Sequence, residues 1–291
     1  VTEDDTLVVL EPGARLHAAI DVRGAKRVEI SGGGTVDLLS RLPHFGDGFT
    51  AATLWGAFRK DVLPAVYVHA GAADVLVRDV TLLADFRGIC ARNAARLTMR
   101  DVRIFTSVTN ADGINLIASE DVVGERLYIR SQDDTFCAYN NCDSIPWLWD
   151  GPEQARGRAM RKVRLTDSFL ASNARSFVFG GHGISGVRGD PNVLEDVEVS
   201  RCRILGNVKS LIPGSQSAKH QAYWSGIFRI LSQSDELVRN LRFRDCVVEW
   251  VPGYIGHPIH VCVRSSDQVS YQEKSGGWKI EDVRFENVVF R

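Results

Sequence analysis

Three aspartates in two short runs are the residues of this chain best placed to do chemistry. Asp112 stands in the run Asn110, Ala111, Asp112, Gly113, Ile114, and the doublet Asp133 and Asp134 in the run Ser131, Gln132, Asp133, Asp134, Thr135, Phe136. Asp112 and Asp134 each lie two residues before an apolar stretch and are 22 residues apart, whereas Asp133 falls one residue out of that register. Carboxylates gathered in one patch cannot all ionise freely. Mutual repulsion raises at least one pKa, leaving a neutral acid beside ionised partners that can hold a water. That is general acid–base chemistry. The same residue types also suit ordinary turns or a calcium-binding cluster.

Residues 22 positions apart meet only if the chain returns on itself, and a repeat makes it do so. Seven segments follow one rule: Val75 to Leu82, Leu97 to Ile104, Val122 to Ile129, Val163 to Leu170, Val197 to Ile204, Leu241 to Val248 and Val283 to Phe290. Small or apolar residues fall at offsets 0 and 2, a polar residue at offset 4, and inward positions resume at 5 and 7, with Ser168 as the polar exception. Alternation marks half-buried strands, and the slip from even to odd phase predicts a bend at the polar residue. A third short strand follows most units, at Gly88 to Ala91, Gly113 to Leu116, Thr135 to Ala138, Ser176 to Phe179, Gly226 to Ile230 and His260 to Val263. Three short strands per coil predict an all-β right-handed parallel β-helix, whose coils bury their apolar faces only by stacking. Asp112 and Asp134 would then sit on neighbouring rungs, about 4.8 Å apart.

No composition shift divides the 291 residues, which read as one β-helix domain over 1–291 with a loop insertion at about 141–161. Lys+Arg 35 against Asp+Glu 36, with both signs scattered, gives no basic face for nucleic acid or an anionic membrane. No apolar run reaches the roughly 18 residues of a membrane span. The chain opens at Val1 directly into Thr2, Glu3, Asp4 and Asp5 without a signal-like stretch, as a processed chain also would. It ends at Arg291 just after a repeat unit, leaving room for a cap or further coils. Cys202 and Cys246 share an inward offset and Cys90, Cys137 and Cys262 lie on third strands, so core packing is expected for them. A Cys137–Cys142 bridge stays open, and no spacing resembles a zinc site.

Four ordered motifs, Asn110 to Ile114 (NADGI), Gln132 to Asp134 (QDD), Gly181 to Gly183 (GHG) and Phe228 to Leu231 (FRIL), resemble those of the polygalacturonase and rhamnogalacturonase family of glycoside hydrolases. The resemblance spans roughly 20 to 250 and includes Val28 to Val36 (VEISGGGTV), which looks like the glycine-rich opening coil of that family. It implies a right-handed parallel β-helix and hydrolysis with inversion, with Asp133 as acid and Asp112 with Asp134 holding the water. Inverting hydrolysis needs a protonated carboxyl on the leaving oxygen and an ionised one on the other face of the sugar, about 6.5–9.5 Å away. An enzyme of this kind is expected outside the cytoplasm, secreted or periplasmic, acting on a poly- or oligosaccharide without an organic cofactor or a metal.

Other residues join this expectation. In the resembled family the histidine of the third motif tunes the acid, and His182 occupies that motif. If Ile184 is a strand residue, His182 takes the aspartate register. If Ser176 to Phe179 is the strand, Arg175 takes that register and His182 moves to its far end, where a structural role in a glycine turn fits equally. Asn110 and Gln132 belong to the substrate-binding set with Arg229, which sits outward between Phe228 and Ile230 with donors suited to a carboxylate or paired hydroxyls. Arg87 shares the aspartate register one coil earlier and would help keep Asp112 ionised. Trp147 and Trp149 in the insertion, and Tyr223 and Trp224 near Arg229, are candidate sugar-stacking residues, although each pair could equally pack its loop. Leu231 stands where polygalacturonases continue with a lysine, which favours a neutral or sparsely charged glycan. The rival readings are a dextranase-like β-helix hydrolase of neutral glucan, a non-catalytic glycan-binding β-helix, and a polysaccharide lyase, for which no base beside the doublet is evident.

Overall fold

The computed structural model describes residues 1–39, 64–107, 111–139, 159–180, 193–206, 226–233, 236–249, 258–264 and 279–291. Within them the chain winds through three parallel sheets in turn. The first has nine strands, from Leu7–Val9 to Lys279–Glu286, the second nine, from Arg15–Leu16 to Val289–Phe290, and the third eight, from Ile20–Arg23 to Ile259–Arg264. Each strand pairs only with its counterparts one coil before and after, which defines a parallel β-helix of three strands per coil. Among the described residues no helix is long and apolar enough to cross a membrane. The expected insertion at about 141–161 falls almost wholly outside the described residues, and the strand Met160–Thr166 already resumes the coil.

The register follows the seven repeat units. Val75, Leu97, Val122, Val163, Val197, Leu241 and Val283, the first residues of the units, stack as one column. Their last residues, Leu82, Ile104, Ile129, Leu170, Ile204, Val248 and Phe290, form another. Apart from Phe290, which is exposed on the last coil, both columns line a continuous apolar interior that ends in a phenylalanine stack of Phe136, Phe177, Phe179, Phe228, Phe243 and Phe285. Each aliphatic side chain fully buried this way contributes about 1.5–3 kcal/mol.

The bend at offset 4 has a definite backbone cause. Asp79, Asp101, Arg126, Asp167, Arg201, Asp245 and Asn287 all hold a left-handed conformation, with φ between 50 and 56. So do the residues just before each unit, Asp74, Arg96, Asp121, Lys162, Asp196, Asn240 and Asp282, with φ between 47 and 56. Asp and Asn tolerate this region better than other non-glycine residues. Arginines interleaved among them pair along the stack, Arg126 Nη2 with Asp101 at 2.7 Å and Arg201 Nη2 with Asp167 at 2.7 Å. Ser168, the polar exception at an inward offset, is satisfied in place: its Oγ donates to the Thr166 carbonyl at 2.7 Å and accepts from the Leu127 amide at 3.0 Å. In the opening coil Gly32 has φ 119, and a Cβ there would lie 2.6 Å from the Leu10 carbonyl oxygen, so only glycine fits.

Cys90, Cys137, Cys202 and Cys246 are buried and free, packed in two separate apolar clusters. Cys202 and Cys246 are buried in the interior, but Cys90 and Cys137 face the other side of the third sheet. Strand alternation gives the interior to Ile89 and Ala91, and to Phe136 and Ala138, and turns the residue between them outward. There the cysteines join Tyr67, Ile117, Ala118, Tyr139 and Val178 in a second buried cluster. Cys137 is a free thiol, and Cys142 and the side chain of Cys262 lie outside the described part.

Candidate active site at the second corner

Asp112, Asp133 and Asp134 meet where the chain turns from the second sheet into the third. An oxygen from each lies within 4.8 Å of the others. Adjacent coils create the cluster: the Gly113 amide donates to the Asp134 carbonyl at 2.8 Å, and Ile114 pairs with Phe136 in the next coil. Gly113 is required beside Asp112 because a side chain there would point inward, its Cβ 2.5 Å from Ile129 Cγ2 and 2.5 Å from the Thr135 carbonyl oxygen. With the intervening residue turned in, the aspartate turns out. The backbone of Asp133 is clamped, its amide donating to the Ala111 carbonyl at 3.0 Å and its carbonyl accepting from Ser131 Oγ and Ser172 Oγ, both at 2.7 Å.

Two guanidinium groups bracket the carboxylates. Arg87, one coil earlier in the aspartate register, places Nε 3.4 Å from Asp112 Oδ2. Arg175, one coil later, places Nε 2.6 Å from Asp134 Oδ1 and Nη2 3.7 Å from Asp133 Oδ1. The strand after Arg175 is Phe177–Phe179, so of the two alignments open in the sequence, the one giving Arg175 the aspartate register holds. Successive coils therefore read Arg87, Asp112, Asp134, Arg175. Asn115, which sequence reasoning passed over, donates from Nδ2 to Asp112 Oδ2 at 2.9 Å. Its signal was its place as the outward residue of the strand that follows Asp112.

Burial is the largest influence on the pair in register. It raises the Asp112 carboxyl, against the pull of Arg87 and with a further push from Asp133. It raises Asp134 to about 8, against Arg175 and with Asp133 and Asp112 adding to the rise. The cluster thus keeps a proton at neutral pH, and in so tight a group that proton belongs to the set rather than to one residue. Asp133 is the most accessible of the three, its side chain 16% exposed against 7% for Asp112 and 5% for Asp134. The separation of the nearest oxygens is set by the coil spacing and is shorter than the roughly 6.5–9.5 Å gap that usually leaves room for an attacking water.

The other candidates divide. Gln132 lies in the same turn, its amide donating to Thr106 Oγ1 at 3.0 Å while its Oε1 accepts from Asn173 Nδ2. Arg229 is outward on the third sheet as expected, in register with Val178 and Cys137, but only 1% exposed; its guanidinium is buried rather than offered to solvent. Leu231 is buried as well. Asn110, Trp147, Trp149, His182, Tyr223 and Trp224 lie outside the described residues.

No protein-family model and no curated protein matches the chain. Among solved structures it is similar to a hyperthermoactive exopolygalacturonase from Thermotoga maritima, with a TM-score of 0.58 and 13% identity over 95% of this chain and 61% of that one. It is similar to a family 28 exopolygalacturonase from Yersinia enterocolitica, with a TM-score of 0.55 and 12% identity over 98% and 55%. A third is an endo-xylogalacturonan hydrolase from Aspergillus tubingensis, with a TM-score of 0.52 and 11% identity over 98% and 83%. The chain spans less than two thirds of the length of the first two. At these identities the likeness is one of fold, and it is the fold that the sequence motifs implied.

Proposed function

We propose that this protein is a glycosidase that cleaves a poly- or oligosaccharide by single displacement. The observation that carries the reading is the meeting of Asp112, Asp133 and Asp134 at one corner, with a proton retained in the cluster at neutral pH. Asp133, the most accessible, is assigned as the acid that protonates the leaving oxygen. Asp112 and Asp134, one coil apart, are assigned to the water. The solved structures similar in fold are named for hydrolysis of galacturonans, which supports a pectin-type polysaccharide as substrate class. Leu231 and the buried Arg229 favour a neutral or sparsely charged sugar at the scissile bond. Such an enzyme would act outside the cytoplasm.

A second reading is favoured by the cluster itself, since three carboxylates within 4.8 Å of one another also suit a calcium ion in a non-catalytic glycan-binding module. Against it, the two buried carboxylates already accept hydrogen bonds from Arg87 and Arg175. The test is reducing-sugar release from a panel of pectic, dextran and neutral glycans, with Asp133→Asn as the control and product anomers followed by proton NMR. Turnover lost in Asp133→Asn with an inverted product supports the proposal, and a retained anomer overturns single displacement. Calcium-dependent binding without turnover overturns the glycosidase, and an unsaturated product would indicate a lyase.

A further inference from the structure

Arg175 repeats the aspartate register on the next coil, two residues before Phe177 as Asp134 is before Phe136. Its backbone amide and its Nε both donate to Asp134 Oδ1, at 3.2 Å and 2.6 Å, while Nη2 reaches toward Asp133 Oδ1 at 3.7 Å. The Thr135 amide donates to the Arg175 carbonyl at 2.9 Å, so the backbone of the doublet and that of the arginine are tied as well. One planar group therefore hydrogen-bonds one member of the doublet and lies within ion-pair distance of the other. Arg87 holds Asp112 from the other end at the longer distance of 3.4 Å, on an oxygen it shares with Asn115.

We propose that Arg175 is a positioning residue: it sets the pH at which the aspartate cluster releases its proton, and it fixes the angle between Asp133 and Asp134. A guanidinium keeps its charge at every working pH, so its hold on the doublet is constant, whereas an imidazole in the same place would lose its charge near neutrality. The fork suits the task because two carboxylates must be held at once. The groups facing Asp134 are Asp112 and Arg87 on the coils before it, Asp133 in its own turn, Arg175 on the coil after it, and Cys137 and Tyr139 on the strand that follows. Burial raises both Cys137 and Tyr139, which keeps them neutral, and among the described residues Arg175 is the cation paired with the doublet. The effect on rate rests on the glycosidase reading; the effect on titration does not.

The experiment is carboxyl titration of the full chain by carbon-13 NMR with labelled aspartate, comparing wild type, Arg175→Gln and Arg175→Lys, beside the pH profile of kcat/KM on the glycan the panel identifies. Loss of a cation in direct contact raises the cluster midpoint in Arg175→Gln by about 1–3 pH units and displaces the bell-shaped profile by the same amount. Arg175→Lys keeps the midpoint within about 1 unit but lowers kcat roughly tenfold or more, because a single ammonium cannot hold both carboxylates. A folded Arg175→Gln with an unchanged midpoint overturns the proposal. Should that variant not fold, a wild-type kcat in Arg175→Lys overturns it instead. If wild type cleaves no glycan, the glycosidase reading falls while the NMR midpoints still decide the role of Arg175.

Discussion

Asp112 and Asp134 stand on adjacent coils at the same position of the repeat, tied through the Gly113 amide and the Asp134 carbonyl at 2.8 Å, and each is bracketed on its far side by an arginine. A cluster built this way takes its spacing from the pitch of the solenoid, so its chemistry depends on the regularity of the stack.

Replacing a single oxygen in the cluster should abolish turnover with the stack intact. Asp133→Asn, which removes the proposed acid, is expected to lower kcat by about 10²–10⁴-fold. Its far-UV circular dichroism and melting temperature should stay near wild type, since this side chain is the least buried of the three. A variant retaining more than a tenth of wild-type kcat would exclude Asp133 as the acid.

The protonation of Asp134 makes a signed prediction for stability. Burial pushes its carboxyl up to about 8 in the folded chain, from 3.8 for the free group, within a cluster that shares the proton. The native state therefore binds a proton that the unfolded chain has lost, and stability present below the lower value declines as pH rises through the upper one. Asp134→Asn should flatten the fall in melting temperature between these limits and melt above wild type at the alkaline end. Parallel curves for the two proteins would contradict it.

The glycine beside Asp112 should be intolerant of even one carbon. Gly113→Ala places a Cβ 2.5 Å from a backbone carbonyl oxygen as well as from Ile129, and backbone cannot step aside cheaply. A loss of about 1–3 kcal/mol in urea denaturation is expected, with reduced activity as Asp112 is displaced. Gly124→Ala meets only methyl ends of Leu165 and Leu127, at 2.9 Å and 3.0 Å, and should cost less than Gly113→Ala.

The bend at offset 4 can be tested through its backbone. Asp101 has φ 54, so Asp101→Val should cost about 1–2 kcal/mol, since a branched side chain resists the left-handed region. Asp101→Gly should stay within about 1 kcal/mol of wild type, because glycine relieves the backbone and the exposed pair with Arg126 contributes little. Equal losses would mean that the ion pair, rather than the backbone, sets the corner.

The parts of this architecture written as apolar periodicity were readable in advance. Val75 to Leu82 and its six counterparts announced two strands meeting at a polar bend, and the left-handed residues sit at that polar position. The left-handed residue preceding each unit was invisible, because Asp74, Arg96 and Lys162 look like any solvated polar residue before a strand. Cys90 and Cys137 were rightly expected to be packed, but which face they pack on was not legible, because the third sheet is buried on both faces, which erases the contrast that tells inward from outward. Arg229 reads as an exposed cation for the same reason. Arg175 was legible only conditionally: the rule that located Asp112 and Asp134 also locates it, once Ser176 to Phe179 is known to be the strand.

The stretch from the first to the last residue of every repeat unit keeps one length, from Val75–Leu82 to Val283–Phe290, whereas the connections into and out of the third sheet vary from coil to coil. From Val75 onward one corner of the triangle thus keeps its length while the other two vary, whereas in the opening coil Val28 and Val36 stack on Val75 and Leu82 with one residue more between them. Only the corner from the third sheet back to the first varies away from Asp112, Asp133 and Asp134, so under the glycosidase reading a foreign loop grafted there is predicted to change preference among glycans before it changes thermal tolerance.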